Sequence, residues 1–222
     1  MYPWVTHTHA HLGGECPHKC SYCYVDNPRF GRPARYTGPL RLIEDEFKVN
    51  YGTGKTIFIE HMNDLFANDV PAEFIHRIVD HVRQWPENTY VWQTKNPARY
   101  LTSGRLIPGN SILGCTIETN RDIPSAIGQA PQPVLRHHAM INLKEQGFVR
   151  TFITIEPVMD FDVDVLAQWI ADINPEFLNL GADSKNHGLP EPTVTKIMAL
   201  VDALKKYGIE LHEKHNLKRL MA

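Results

Sequence analysis

The sequence CPHKCSYC, residues 16–23, closely follows the first β-rich run of the chain, residues 4–9. It places Cys16, Cys20 and Cys23 at spacings of four and three, and the whole chain has only four cysteines. Clustered cysteines in a cytosolic protein are more often metal ligands or catalytic groups than disulfide partners. Three thiolates on one loop can wrap a single metal centre, so the stretch predicts a metal-binding loop after a strand.

Short β-rich runs alternate with helical patterns along almost the whole chain. The candidate strands are residues 4–9, 56–61, 89–95, 111–119, 149–157, 177–182 and, as a seventh, 209–212. The helical patterns between them are residues 40–50, 71–84, 97–101, 133–146, 163–172 and 192–207. This alternation predicts βα units around a parallel sheet.

The number of these units decides the expected architecture. Six or seven βα units fall short of the eight in a closed barrel, so the sequence predicts an α/β fold with an open, partial (β/α)6-7 TIM-type barrel of parallel strands. A doubly wound sheet is the competing architecture. We expect a single domain over residues 1–222, because 42% hydrophobic residues in a chain of this length suffice for one core.

Composition narrows the classes of partner. Lys and Arg total 23 against 25 for Asp and Glu, a formal charge of −2, so charge does not indicate a nucleic-acid partner bound through its phosphates. The first residues, MYPWVTHTHAHLGG, lack the pattern of a signal peptide, and no apolar run approaches the roughly 20 residues of a membrane span. We therefore expect a cytoplasmic protein without a membrane partner.

Polar and ionisable residues follow the predicted strands. In parallel α/β folds functional groups gather at the carboxyl ends of the strands. The residues at those ends are Glu60, His61, Asn63, Asp64, Lys95, Glu118, Glu156, Asp183 and Lys185. These side chains are the candidates for a site that also contains the cysteine loop.

The spacing of the cysteines leaves two kinds of metal centre open. Zinc would need a fourth ligand, and His11 or His18 could complete a Cys3His site in a zinc-stabilised binding module, for example for nucleic acid. A 4Fe-4S cluster normally takes four cysteines, so three would leave one iron open. Cys115 is not expected to be the fourth ligand, because it falls inside a strand pattern rather than at a strand end.

A third hypothesis comes from HTHAH at residues 7–11. His7, His9 and His11 share one face of an extended strand, and a His-x-His pair on a first barrel strand is also how amidohydrolase-like metal-dependent hydrolases begin a metal site. Such a site needs further histidines at later strand ends. The fifth predicted strand ends in Glu156 and Pro157 instead.

The CxxxCxxC spacing, with an aromatic residue just before the last cysteine, resembles the radical S-adenosylmethionine (radical SAM) superfamily. The resemblance implies a 4Fe-4S cluster held by Cys16, Cys20 and Cys23, with the amino and carboxylate groups of SAM on the open iron. It also implies reductive cleavage of SAM to methionine and a 5′-deoxyadenosyl radical that abstracts hydrogen from a substrate. The electron would come from an external reductant of flavodoxin or ferredoxin type.

Further segments resemble a phage-associated radical SAM subfamily. They are CSYCY, HMNDLFANDVPAEFI, VWQTKNPARY, ILGCTIETN and FITIEPV. This second resemblance supports the fold and the cofactors, and it places the protein in the host cytoplasm if a phage encodes it. The resemblance does not identify the substrate. We expect either a molecule small enough to enter the mouth of the barrel or a partner that caps it.

The superfamily resemblance also implies roles for individual residues. Tyr22 and Tyr24 match positions that contact adenine, and Lys95 is placed to pair with the SAM carboxylate. One of Glu60, His61, Asn63 and Asp64 would bind the amino group of SAM, and Glu118 would bind the ribose hydroxyls. Glu156, Asp183 and Lys185 are left for SAM or substrate. Cys115 could donate a hydrogen atom only if it faces the barrel interior.

Overall fold

A computed structural model describes residues 2–26, 31–103, 107–148 and 150–221. Its strands in chain order are β1 (His7–His9), β2 (Leu12–Gly13), β3 (Arg41–Leu42), β4 (Thr56–Ile59), β5 (Thr89–Thr94), β6 (Ser111–Thr116), β7 (Thr151–Ile155), β8 (Phe177–Leu180) and β9 (Leu211–Glu213). Its helices are α1 (Ala72–Val82), α2 (Ala98–Ser103), α3 (Pro124–Ile127), α4 (Pro133–Glu145), α5 (Val163–Ile173), α6 (Val194–Lys206) and α7 (Lys218–Met221).

Seven strands form one open parallel sheet in the order β1-β4-β5-β6-β7-β8-β9. Each lies within or beside one of the seven predicted β-rich runs, and the expected partial barrel is confirmed. Spatial order follows chain order without reversal, whereas a doubly wound sheet reverses direction at its centre. The doubly wound alternative is therefore wrong. Val149, the first residue of the fifth predicted strand, lies outside the described residues.

The two faces of the sheet carry two hydrophobic cores. The larger core lies between the sheet and the helices, where Ile59 and Trp92 pack with Ile78 and other helical residues. The smaller one lies on the concave face, where residues before β1 pack across the strands. There Tyr2 stacks on Trp4 with 5.4 Å between ring centroids and lies edge-on to Phe152. This N-terminal segment covers part of the sheet face opposite the helices.

Local sequence signals explain several helix boundaries. Thr193 caps the start of α6, since its hydroxyl accepts from the Lys196 amide at 3.3 Å. Asn174 ends α5 in a left-handed conformation, with φ 48°. Among the described residues, no helix combines the length and apolarity that crossing a membrane requires.

The helix expected at residues 40–50 is wrong. Arg41–Leu42 pairs with Leu12–Gly13 in an antiparallel ribbon, and a short 3-10 helix, Glu44–Lys48, follows. The Ile43 amide donates to the His11 carbonyl at 2.7 Å, so tertiary pairing takes up backbone groups that a helix would need.

Candidate active site

A cavity of about 510 Å³ opens at the carboxyl ends of the sheet strands. It brings together most of the predicted site residues. Those that line it are Cys16, Cys20, Cys23, Tyr22, Tyr24, Glu60, His61, Asn63, Asp64, Lys95, Glu156, Asp183 and Lys185. Two predicted residues, Cys115 and Glu118, do not line it. The cysteine loop, residues 16–23, forms one side, and the loops after β7, β8 and β9 form the other.

The loop between β6 and α4 supports the cysteine loop from behind. The Ser21 amide donates to the Ala126 carbonyl at 2.9 Å, and the Gln129 amide donates to the His18 carbonyl at 2.6 Å. Gly128 lies between these contacts with φ 61°, and a Cβ there would stand 2.2 Å from the His18 carbonyl oxygen. Only glycine fits this approach without displacing one of the two loops. We did not predict this support, because α3 is only four residues long.

The thiols of the cysteine loop lie in a low-polarity setting. Burial raises the pKa of Cys16 to about 12, and the nearby charge of Asp64 adds to the effect. Burial likewise raises the pKa of Cys20, whose Sγ lies 3.4 Å from the Ile127 carbonyl oxygen. A cation bound at these sulfurs would be needed to favour their thiolate forms.

Asp64 ties the cysteine loop to the end of β5. Its carboxylate lies 2.8 Å from Nε2 of His18 and accepts from the Lys95 amide at 2.8 Å and the Thr94 hydroxyl at 2.7 Å. Burial alone would raise the pKa of Asp64. The attraction of His18 and these hydrogen bonds outweigh burial and hold that pKa at about 2. The carboxylate is therefore ionised and already satisfied by protein donors.

The other predicted residues after β4, Glu60, Asn63 and His61, differ in whether their polar side-chain atoms already have hydrogen-bond partners. Glu60, with φ 61°, accepts from the amide of Leu12 at 3.1 Å and contacts His11 Nδ1 at 3.1 Å. The Asn63 side chain donates to the Gly14 carbonyl at 3.1 Å. Nδ1 of His61, by contrast, has no hydrogen-bond partner among the described residues, and burial lowers the pKa of that ring. A neutral His61 is thus the member of the segment with an unused ring nitrogen.

Glu118 lies behind the cysteine loop rather than in the cavity. It is fully buried, its Oε2 accepts from Arg136 at 2.8 Å, and its Oε1 accepts from the Tyr22 hydroxyl. Both carboxylate oxygens are thus engaged by protein groups, and the contact between Glu118 and a ribose stays a prediction. Arg136 was missed, since the sequence of α4 gives no sign that an arginine on it faces inward.

Lys95 presents its ammonium to the cavity. Its Nζ stands 3.8 Å from Oε1 of Glu118 and 5.4 Å from the centre of the Tyr22 ring. Neither contact is a hydrogen bond, and no other hydrogen bond to Nζ occurs in the described part of the chain. Three donor positions on a fixed cation suit an anionic group of a ligand.

The far side of the cavity carries charges that pair with each other. Glu156 contacts Lys214 at 2.6 Å and accepts from Asn216 at 2.8 Å. Asp183 contacts Nδ1 of His187 at 2.7 Å.

Tyr24 joins the cysteine loop to both sides of the cavity mouth. Its ring is 53% exposed and its hydroxyl donates to the His61 carbonyl. Nζ of Lys185 donates to the carbonyl of Tyr24 itself. The cysteine loop is thereby linked to the end of β4 and to the loop after β8.

Neutral polar side chains form the floor of the cavity, and of these Gln93 belongs to a predicted strand end. The Tyr2 hydroxyl donates to Gln93 at 2.7 Å and lies 2.8 Å from the Thr154 hydroxyl, while Gln93 donates to Thr116 at 2.9 Å. Gln93 and Thr154 are polar residues in otherwise apolar strands, and this pattern could have indicated that their side chains face a cavity. Tyr2 carried no such signal. Cys115 faces the helices in the larger core, so its sulfur points away from this floor.

The histidines proposed for other metal sites are engaged elsewhere. His11 uses one ring nitrogen toward Glu60 and the other toward the Tyr51 hydroxyl at 2.7 Å, while Nε2 of His18 contacts Asp64. His7 and His9 do not line the cavity. Within residues 2–26, 31–103, 107–148 and 150–221, no group of three or more His, Cys, Asp or Glu side chains is arranged to hold a single metal ion.

The architecture is that of the open TIM-type partial barrels of radical SAM enzymes. The chain belongs to the family DUF5131, described as a protein of unknown function, whose sequence model matches residues 7–171. A search of curated proteins finds no match.

Solved structures share the fold at low identity. A spore photoproduct lyase mutant superposes with a TM-score of 0.62 and 11% identity, covering 92% of this chain and 76% of the lyase. The lyase complexed with dinucleoside spore photoproduct superposes with a TM-score of 0.61 and 11% identity, covering 91% of this chain and 75% of the lyase. Streptococcus suis SuiB bound to S-adenosylmethionine superposes with a TM-score of 0.60 and 10% identity, covering 96% of this chain and 52% of SuiB. At such identities the likeness establishes the fold alone.

Proposed function

We propose that the protein is a radical SAM enzyme that holds a 4Fe-4S cluster on Cys16, Cys20 and Cys23 and SAM in the adjoining cavity. The observation that carries this proposal is that the three loop thiols line one cavity together with Lys95, whose ammonium stands 3.8 Å from Glu118, beyond hydrogen-bond distance. When bound, these cofactors would supply reductive cleavage of SAM to methionine and a 5′-deoxyadenosyl radical, with an electron from a flavodoxin- or ferredoxin-type reductant.

The donor set fits a cluster with one open iron. Three thiols come from one loop, and of the two histidines that could add a fourth ligand, His11 has both ring nitrogens hydrogen-bonded and His18 has Nε2 on Asp64. The zinc-stabilised module is therefore less well supported.

The groups still free around the cavity fit the parts of SAM. Lys95 would bind the carboxylate, and His61, which lines the cavity, would contact the amino group, since Glu60, Asn63 and Asp64 are engaged by protein groups. Tyr24, at the cavity mouth, and Tyr22, beneath Lys95, would border the adenine.

Glu156, Asp183 and Lys185 would border the substrate. The solved neighbours include spore photoproduct lyase with a dinucleoside photoproduct and SuiB with a precursor peptide, so this fold accommodates chemically different substrates. We accordingly propose either a small molecule or a partner that caps the cavity. The amidohydrolase alternative has less support, because His7, His9 and His11 do not line the cavity. The single domain, the cytoplasmic location and the phage association stay predictions.

The test is anaerobic reconstitution with iron and sulfide, then reduction in the presence of SAM. We expect about four irons per chain and formation of 5′-deoxyadenosine. Purified protein that holds zinc but no iron after reconstitution, and never yields 5′-deoxyadenosine, would overturn the proposal.

A further inference from the structure

Arg136 and Glu118 form an ion pair with no exposure to solvent. Nη1 of Arg136 lies 2.8 Å from Oε2 of Glu118 and also donates to the Thr116 carbonyl at 2.9 Å, while Nε donates to the Pro131 carbonyl at 2.6 Å. Nη2 has no partner among the described residues. Burying two charges carries a desolvation penalty, and an apolar pair of similar size would often be as stable. The pair therefore calls for an explanation other than stability.

Lys95 is a second cation near the same carboxylate. Its Nζ stands 3.8 Å from Oε1 of Glu118, too far for a hydrogen bond, and that oxygen already accepts from the Tyr22 hydroxyl. The side chain of Lys95 is 21% exposed and lines the cavity, whereas Glu118 does not. Lys95 thus lies between a buried anion behind it and the space in which a ligand would bind.

We propose that Arg136 is a positioning residue that keeps the Lys95 ammonium available to an anionic group in the cavity. Arg136 neutralises Glu118 from the side away from the cavity, so Glu118 does not draw Lys95 into a close ion pair. Without Arg136, the buried carboxylate lacks its main counter-charge, and Lys95 is the nearest cation that can replace it. Closing the gap from 3.8 Å to a charge-assisted hydrogen bond of about 2.8 Å would withdraw the ammonium from the cavity.

The identity of the anion rests on the proposed function, which makes it the carboxylate of SAM. The first experiment measures the Kd for SAM on reconstituted enzyme by equilibrium dialysis, with Lys95→Met as the reference for complete loss of the contact. We expect Arg136→Met to raise the Kd about tenfold or more, toward the Lys95→Met value, with unchanged iron content. Arg136→Lys, which keeps a charge, should bind SAM more tightly than Arg136→Met.

The decisive variant is the double substitution Arg136→Met with Glu118→Gln. A neutral residue 118 no longer attracts Lys95, so SAM affinity should recover to within about threefold of the original protein. The double variant also removes the uncompensated buried charge and should fold where the single variant does not. Affinity in the double variant as weak as in Lys95→Met, or an unchanged Kd in Arg136→Met, would overturn the inference.

A second readout does not involve SAM. Reductive methylation with carbon-13 formaldehyde labels accessible lysines, and Lys95→Met identifies the NMR signal of Lys95. Labelling of Lys95 should fall in Arg136→Met and return in the double variant. If the protein never binds SAM but shows this pattern, the proposed function fails and the role of Arg136 stands. If it binds SAM and labelling of Lys95 is unaffected, the role of Arg136 fails.

Discussion

The two sides of the cavity differ in how their carboxylates are satisfied. On the cysteine side Asp64 and Glu118 are buried and bound by His18, by Arg136 and by groups of the β5 segment. On the far side Glu156 and Lys214 pair with each other, and their side chains are 19% and 25% exposed. Buried, multiply bonded charges fix a structure, whereas exposed pairs exchange partners readily. Asp183 on the far side is likewise buried and accepts from the amides of Lys185 and His187, so it is the Glu156–Lys214 pair that can adapt to a ligand, while the cysteine side is a rigid support.

The largest expected effect comes from removing a cysteine of the loop. Replacing Cys16, Cys20 or Cys23 by Ala should abolish SAM cleavage, because two thiolates would remain for a cluster that needs three from this chain. The measurements are iron content after reconstitution and 5′-deoxyadenosine by chromatography.

Cys115→Ala is the matched control. Its sulfur lies in the core against the helices, so the variant should keep both iron and cleavage. Retained cleavage in Cys20→Ala would contradict the ligand assignment and remove the distinction between the two sides.

Asp64→Asn tests the rigid side through stability. The pKa of Asp64 is about 2 in the folded chain, against 3.8 for an unperturbed aspartate. This difference corresponds to roughly 2 kcal/mol of stability at neutral pH. A depressed carboxyl pKa stabilises the fold above pH 3.8, and this contribution is lost as pH falls toward 2. The difference between the original protein and the variant in free energy of unfolding should therefore shrink between about pH 4 and pH 2 in urea titrations.

Asp45→Asn serves as the control for that series. Asp45 is exposed and pairs with the exposed Lys48, so no measurable loss of stability is expected. A difference for Asp64→Asn that stays constant from pH 7 to pH 2 would show that its carboxylate charge is not what ties the cysteine loop to β5.

Gly128→Ala tests the support behind the cysteine loop. A Cβ at this position would stand 2.2 Å from the His18 carbonyl oxygen and 2.5 Å from that of Lys19. Gly54→Ala is the control, because Gly54 also has a positive φ of 70° but a Cβ there meets nothing within 4 Å. It should cost only the conformational term of about 1–2 kcal/mol.

We expect Gly128→Ala to lose more stability than Gly54→Ala in thermal unfolding, and to take up less iron on reconstitution. Equal iron uptake by the two variants would mean that the contact between residues 126–129 and the cysteine loop does not position the cysteines.

The sequence was sufficient where local pattern decides structure. Apolar runs with turn residues between them gave all seven sheet strands, and the spacing of the cysteines with their position after β1 placed them at the cavity. The same logic placed Lys95, because a lysine that directly follows a parallel strand lies at its carboxyl end. These features depend on residues close together in the chain.

What sequence could not provide depends on contacts between distant segments. The segment at residues 40–50 has a helical composition, but its first residues pair with β2. From the sequence, Glu118 was a candidate to bind a ligand, whereas the structure pairs its carboxylate with Arg136, eighteen residues later. Tyr2 reaches the cavity floor because the chain before β1 crosses the barrel, a path that no local pattern encodes.

The smallest effect is expected on the far side, from Lys214→Met. Lys214 contacts Glu156 at 2.6 Å and stands 5.1 Å from the centre of the Tyr2 ring, and Glu156 keeps its hydrogen bond from Asn216 without it. A partly exposed pair of this kind contributes under about 1 kcal/mol. Iron content should be unchanged, and SAM cleavage without substrate should stay within about twofold, since the contacts of Lys214 are with Glu156 and Tyr2 on the far side and the floor of the cavity. A tenfold fall in cleavage, or loss of iron, would mean that the far side supports the cofactors as rigidly as the cysteine side does.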